Sequence, residues 1–241
     1  MSALVATRPA PTAAVAFAAG AILAAAFAAP AVIALSQGLM APTEMRLTRA
    51  VVGAFGGITL PIIGATVAGW FFGVGTRSRS RADLLVAAGL PPMRAVLPIL
   101  GIAIGVAALG ASLVAAVIVA VLRAHHHLGS SSLITRDAFG TAWAVMLGAA
   151  WWTSLASLLV ARSGKSGRAW FVVAIDLGLR LLPGAVAWVA PSAHVANMLG
   201  APPPVSFVHV PVLPQWLSVA VLLAIAIVAA AGAARRYRGA P

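Results

Sequence analysis

Long runs of apolar residues recur along the whole chain, and they constrain its fold more than any other feature. A helix needs about 20 consecutive, mostly apolar residues to cross the hydrocarbon core of a bilayer. Of the 241 residues, 62% are hydrophobic and 8% are charged, whereas about a quarter of the residues in a soluble domain are charged. The sequence therefore predicts an all-α membrane protein that crosses the bilayer several times.

We predict a single transmembrane domain over residues 1–241 with six transmembrane helices. Their approximate bounds are 12–36, 51–75, 94–122, 139–161, 169–190 and 215–234. No connection is long enough for a soluble domain. The longest connections are 123–138 and 191–214, and we expect the second one, which is rich in Pro, to lie in the headgroup region.

The N-terminal run has an alternative interpretation as a cleaved secretory signal. Arg8 precedes an apolar run and the Ala-rich sequence AAFAAPA, which resembles a small-residue cleavage site. The apolar stretch continues to Leu39, however, which is longer than the apolar part of most signals. We therefore expect this first span to be retained.

Positive charges lie mainly on one side of the predicted spans. Eleven Lys and Arg residues fall on the side of both termini and four on the other side. The first group is Arg8, Arg77, Arg79, Arg81, Arg94, Arg162, Lys165, Arg168, Arg235, Arg236 and Arg238, and the second is Arg46, Arg49, Arg123 and Arg136. The positive-inside rule places both termini in the cytoplasm. The excess of Arg over Lys is typical of a GC-rich bacterial genome, so we expect the bacterial inner membrane.

The net charge of +12 does not indicate nucleic-acid binding. The cations cluster at the ends of the spans, where they meet the anionic headgroups of membrane lipids. The chain has no Cys, which excludes disulfides and thiolate metal sites.

No set of residues indicates an enzyme. The tripeptide GKS at 164–166 ends a phosphate-loop pattern, but Leu159 stands where that pattern requires Gly. The three His residues at 125–127 are adjacent, and adjacent imidazoles cannot all face one metal ion from a helix. We predict no catalytic residue, no metal and no cofactor in this chain.

Asp176 and Arg180 lie four residues apart within the fifth predicted span, in the favourable order for an ion pair on a helix. Charges at membrane depth are costly and usually face protein or a water-filled cavity. We predict an intramembrane ion pair that neutralises itself. The alternative is a contact for a polar headgroup or a gating element.

Two further patterns concern packing. Six Trp residues are expected to anchor the spans at the interfaces or to face lipid, namely Trp70, Trp143, Trp151, Trp152, Trp170 and Trp188. The GxxxG spacing of Gly53 with Gly57, and of Gly101 with Gly105, is typical of helices that approach closely.

A short amphipathic helix is predicted at about 80–90, between the second and third spans. Ser80 can cap its start, Asp83 lies near the positive end of the helix dipole, and Gly89 supplies a left-handed stop. Apolar positions share one side: Leu84, Leu85 and Ala88. A capped cytoplasmic helix offers a docking surface for a soluble partner.

The segment 60–109 resembles the permease subunits of the bacterial lipopolysaccharide-export ABC transporters. In those subunits a span with a Leu-Pro pair leads to a cytoplasmic helix that carries an acid, apolar residues and Ala-Ala-Gly, and a Pro-x-Arg segment opens the next span. The matching residues here are Asp83, Leu84, Leu85, Ala87, Ala88, Gly89, Pro92 and Arg94. The resemblance covers about a fifth of the chain. The family's periplasmic β-rich domain has no counterpart, because only 123–138 occupies its place.

The resemblance implies that residues 80–90 form a coupling helix in a groove of a cytoplasmic ABC ATPase, which would carry ATP and magnesium. The residues implied in that contact are Arg77, Arg79, Arg81, Asp83, Leu84, Leu85, Ala88, Gly89, Leu90 and Arg94. A second permease subunit, identical or homologous, would complete the transporter. We expect an exporter of a hydrophobic or amphipathic substrate, because the spans offer few polar groups.

Two other functions stay open. A non-transport membrane scaffold could recruit a different cytoplasmic partner through the same helix. A secondary transporter coupled to ions is less favoured, because ion coupling normally needs several membrane-embedded acids and Asp176 stands alone.

Overall fold

The computed structural model describes residues 32, 36, 55, 59–72, 85–125, 131–163, 165–180, 188–199 and 213–236. Within these residues all regular structure is helical, which confirms the all-α prediction for them. The α-helices are α1 (Leu60–Phe72), α2 (Pro92–His125), α3 (Ser131–Ser163), α4 (Trp170–Arg180), α5 (Pro191–Met198) and α6 (Gln215–Arg236). A 3₁₀ turn at Ser166–Ala169 connects α3 to α4.

Three of the helices are long and apolar enough to cross a membrane, namely Arg94–His125, Ile134–Ser163 and Gln215–Arg235. They correspond to the third, fourth and sixth predicted spans, so the chain is a membrane protein by the length and composition of these helices. Six transmembrane helices are therefore not found among the described residues. Of the first predicted span only Val32 and Ser36 are described, both helical, and α1 accounts for 13 residues of the second.

The fifth predicted span, 169–190, is described at 169–180 and 188–190. The described part of α4 has 11 residues, Trp188 and Val189 have 3₁₀ geometry, and 181–187 lie outside the described residues. Ala190 is extended, with φ −75° and ψ 123°, and Pro191 begins α5. A residue that precedes Pro is disfavoured in the α-region. Pro191 therefore accounts for the start of α5 as a separate helix, directly after the end of the predicted span.

The helix α3 lies at the centre of the bundle and packs against α1, α2 and α6. Within its most apolar 18 residues, 72% are buried, compared with 39% for α2 and 28% for α6. The two less buried helices expose rows of large apolar side chains, which suit a lipid environment.

Two close approaches fix the position of α1 and α5 on α3. A Cβ atom on Gly64 of α1 would lie 2.7 Å from Cβ of Trp152, and one on Gly148 of α3 would lie 2.7 Å from Cδ1 of Leu60 and 2.8 Å from Cγ2 of Val195. Only Gly allows contacts this short. Because Leu60 faces Gly148 and Gly64 faces Trp152, α1 and α3 run parallel.

The contact between Val195 and Gly148 places α5 beside the middle of α3, which spans Ser131–Ser163. All residues from Pro191 to Asn197 are buried. The expectation that the connection 191–214 lies in the headgroup region is therefore wrong for 191–197, while 200–212 lie outside the described residues. The polar residues of 191–197 are bonded within the protein, as described below, and a hydropathy pattern cannot show such pairing.

The Trp prediction is wrong for two residues. Trp151 and Trp152 are 2% and 1% exposed and pack edge-to-face, with ring centroids 4.6 Å apart. Trp143 and Trp170 are about half exposed, at 50% and 48%, as expected of residues that face lipid or an interface. The indoles of the adjacent pair instead fill the bundle interior.

The bundle has two ends that are useful to name. The hairpin end contains the C-terminus of α2 and the N-terminus of α3, at His125 and Ser131. The basic end contains the turn 85–91, the C-terminus of α3 at Ser163 and the end of α6, since Gly232 packs on Leu158 near the end of α3.

The close approach at Gly64 predicts a stability effect. Gly64→Ala should destabilise the protein by about 1–3 kcal/mol, because the added methyl group meets the backbone of α3 and must push the helices apart. Gly101→Ala on α2 is the matched control, since a Cβ atom there meets nothing within 4 Å. Thermal unfolding in mild detergent, followed by Trp fluorescence, should show a lower midpoint for Gly64→Ala only. Equal midpoints for the two variants would contradict the tight contact.

Candidate functional site

The predicted short helix ends where the sequence indicates, in a turn at Gly89. Residues Leu85–Ala87 are helical, and Gly89 has a φ of +92°. The Leu90 N–H donates to the Leu85 carbonyl at 3.2 Å, and the Gly89 N–H donates to the Val86 carbonyl at 3.0 Å. These two bonds form a Schellman motif, in which a left-handed residue ends the helix and pairs its last carbonyl groups. The predicted left-handed stop at Gly89 is confirmed.

This turn exposes apolar side chains at the basic end. Leu85 and Leu90 are 37% and 41% exposed, and Ala88 and Arg94 are also exposed. Val86 instead packs against the core, so the helix end is anchored on one side and open on the other. The remaining residues of the predicted contact lie outside the described residues: Arg77, Arg79, Arg81, Asp83 and Leu84.

Asp176 binds the N-terminus of α5. Its side chain is 3% exposed, and Oδ1 accepts hydrogen bonds from the Ser192 N–H at 3.2 Å and the Ser192 hydroxyl at 2.8 Å. A carboxylate at a helix N-terminus is favoured by the dipole and by the unpaired N–H groups there. Asp176, which lies on α4, therefore anchors a second helix, α5.

The predicted ion pair of Asp176 with Arg180 stays a prediction. Both residues lie on α4 at helical spacing, but the Arg180 side chain lies outside the described residues. Sequence reasoning missed Ser192, which is 16 residues from Asp176. The available signal was a Ser next to Pro191, a common start of a helix.

A second polar cluster holds the C-terminal half of α5. His194 Nε2 lies 2.8 Å from the Trp188 carbonyl oxygen, and Nδ1 lies 3.2 Å from Ser218 Oγ on α6. The Asn197 amide donates to Ser218 Oγ and to the Leu213 carbonyl, both at 2.9 Å. His194, Asn197 and Ser218 are all buried. The sequence analysis named none of them, because single polar residues in apolar runs have no distinctive spacing.

The direction of each bond in this cluster follows from its partners. A carbonyl oxygen can only accept, so His194 carries its proton on Nε2. The Asn197 amide can only donate, so Ser218 accepts from it and donates to Nδ1 of His194. The cluster is thus built around a neutral imidazole and joins α5 to α6.

Charged residues at the hairpin end connect α2 to α3. Arg123 Nη2 lies 2.7 Å from Asp137 Oδ2, and Arg136 Nε lies 3.6 Å from Asp137 Oδ1. Among the residues that the structure describes, which include His125 but not His126 or His127, no group of three possible ligands could hold a metal ion. The 3.6 Å contact involves an Arg136 side chain that is 75% exposed, so the shorter pair with Arg123 carries this connection.

Compared with known proteins, the chain matches no family model, no curated protein and no solved structure. Its function must therefore be argued from its own residues, and two features stand out. One is the exposed apolar turn at the basic end, and the other is the buried polar anchoring of α5.

The anchoring by Asp176 predicts a large effect of its removal. Asp176→Ala removes the carboxylate that accepts from the Ser192 N–H and hydroxyl, and each lost bond to a charged group should cost about 1.5–3 kcal/mol. Asp137→Ala is the matched control, because that partly exposed pair should contribute no more than about 1 kcal/mol. The thermal unfolding midpoints of the two variants are measured in mild detergent and compared with that of the wild-type protein. A loss for Asp176→Ala no greater than for Asp137→Ala would contradict the anchoring role.

Proposed function

We propose that this chain is the transmembrane subunit of an ATP-driven ABC transporter, and that it exports a hydrophobic or amphipathic substrate. The observation that carries the proposal is the turn at the basic end, where a Schellman motif presents Leu85 and Leu90 to solvent. Exposed apolar residues at a fixed helix end suit docking of a soluble protein. The resemblance of residues 60–109 to lipopolysaccharide-export permeases indicates that the docked partner is an ABC ATPase.

The charge distribution supports a cytoplasmic basic end. The described cations there are Arg94, Arg162, Lys165, Arg168 and Arg235, whereas the hairpin end has Arg123 and Arg136. The positive-inside rule then gives an inner-membrane protein with cytoplasmic N- and C-termini. We propose six crossings, with the bounds predicted from the sequence.

The partners follow from this arrangement. A cytoplasmic ABC ATPase would bind ATP and magnesium and contact the turn, with Leu85 and Leu90 as apolar anchors and Arg94 at the edge. A second permease subunit, identical or homologous, would face this chain across the substrate path. Movement of the ATPase would be passed to the turn and from there to α2, which begins at Pro92 immediately after it.

Two alternatives are weaker. A scaffold that recruits a partner other than an ATPase would use the same turn. An ion-coupled transporter would need a membrane-embedded acid that can exchange its partner, and Asp176 is bonded to the N-terminus of α5.

A pull-down tests whether an ATPase binds the turn at the basic end. Leu85→Asp should abolish recovery of the ATPase with tagged protein in mild detergent, because it places a charge on the apolar contact. Leu85→Met is the matched control and should keep binding, since volume and apolarity are retained. Membrane insertion should be unchanged in both variants.

Unchanged ATPase recovery with Leu85→Asp would contradict residues 85–90 as the docking element. Recovery of wild-type protein with only a non-nucleotide-binding partner would support the scaffold and contradict the transporter.

A further inference from the structure

We propose that the start of α4 forms a binding site for an anionic phospholipid, in which Lys165 and Arg168 hold the headgroup and Phe171 and Ile175 contact the acyl chains. The site goes beyond the proposed function and does not require a transporter. Only its leaflet, the cytoplasmic one, rests on the proposed orientation of the chain.

The cations of this site have no anionic partner within the described residues. Lys165 and Arg168 are exposed, and the ion pairs between described residues lie at the hairpin end, where Arg123 and Arg136 both contact Asp137. The protein thus supplies a counter-ion to its described cations at the hairpin end. At the start of α4 the positive charge is available to an anion from outside the chain.

An internally bonded turn holds these cations in place. The Ser163 hydroxyl donates to the Leu159 carbonyl at 2.8 Å and accepts from the Lys165 N–H at 3.2 Å. The Arg168 N–H donates to the Lys165 carbonyl at 3.1 Å, and side chains three residues apart in a 3₁₀ turn lie on the same side. The next residue, Ala169, is fully buried, and the turn packs against α1 and α3. The two charges are therefore carried side by side on a fixed part of the bundle.

An apolar row continues from the cations along α4. Arg168, Phe171 and Ile175 are spaced by three and four residues, which places them on one side of a helix. Phe171 and Ile175 are 62% and 58% exposed, whereas Val172 and Asp176 are each 3% exposed. The row starts at the basic end and reaches Ile175 about 10 Å further along the helix.

This combination fits a phospholipid better than a soluble anion or a soluble protein. A soluble anion would use the cations alone, and a protein bound at the basic end would not reach apolar side chains that lie one to two turns deeper in the bilayer. An anionic phospholipid has a phosphate at the membrane surface and acyl chains directly beneath it. Lys and Arg near the surface attract such lipids in the cytoplasmic leaflet. Trp170, which is 48% exposed beside the cations, is typical of the headgroup region.

Quenching by brominated phospholipids tests the site, because Trp170 lies next to it. The protein is reconstituted without any partner in phosphatidylcholine bilayers that contain increasing fractions of brominated phosphatidylglycerol. The fluorescence that Trp170→Phe removes is the Trp170 signal. Its preference for phosphatidylglycerol over phosphatidylcholine should fall about fivefold in Lys165→Gln and in Arg168→Gln, and further in the double variant, because each change removes one attracting charge.

Two controls separate this site from a general attraction of the bilayer. Arg136→Gln removes an exposed cation that contacts Asp137 at the hairpin end, and it should leave the preference at Trp170 unchanged. Trp143, which is 50% exposed on α3, serves as a second reporter through Trp143→Phe. Its signal should be the same with and without Lys165→Gln.

A preference at Trp170 that falls in both Gln variants and is retained in Arg136→Gln supports the site. Equal quenching of wild-type Trp170 by brominated phosphatidylglycerol and brominated phosphatidylcholine overturns it, as does an unchanged preference in the double variant. Relief of quenching by inorganic phosphate at constant ionic strength would assign the cations to a soluble anion and also overturn it.

The remaining occupant is the proposed ATPase. Loss of ATPase recovery in the double variant Lys165→Gln, Arg168→Gln, with an unchanged lipid preference, would assign the cations to that contact and overturn the lipid site. The quenching measurement itself uses protein without an ATPase. A failed lipid site is therefore distinguished from a failed transporter assignment, which the pull-down with Leu85→Asp decides.

Discussion

The rest of the structure depends on the close contact of other elements with the central helix α3. In a membrane, helix association gains little from the hydrophobic effect, because lipid tails are as apolar as the side chains. Close packing must replace it. The helices approach so closely at Gly64 and Gly148 that an added Cβ atom would lie only 2.7 Å from a side-chain atom of the neighbouring helix. These contacts set the position of α1 and α5 relative to α3. Through α5 they also determine which polar residues meet at mid-depth.

Polar groups at that depth must find partners inside the protein, since lipid offers none. The break at Pro191 releases N–H groups of α5 from helical bonding, and Asp176 accepts one of them. Similarly, His194 and Asn197 bond to Ser218 and to the backbone carbonyls of Trp188 and Leu213. The buried polar residues therefore supply the partners that a helix beginning inside the bundle requires.

The sequence was sufficient for features that depend on local chemistry. Long apolar runs predicted α2, α3 and α6, and Gly89 predicted the helix stop. The sequence was insufficient where tertiary contacts determine whether a residue is buried. The segment 191–198 is apolar enough for the headgroup region or the bundle interior, and only its contact with Gly148 distinguishes them. Trp151 and Trp152 likewise have the composition of interface anchors, but they are buried because α1 covers α3.

The position of Asp176 bears on the choice between ATP-driven and ion-coupled transport. An acid that couples transport to an ion must exchange its partner for that ion in every cycle. Asp176 could do so only by releasing Ser192, and with it the N-terminus of α5. Ion coupling would then require movement of α5, whereas in the proposed ATP-driven transporter the force would enter at Leu85 and Leu90, at the basic end. In the structure Asp176 holds the N-terminus of α5 through Ser192, so its bonding is that of a structural anchor.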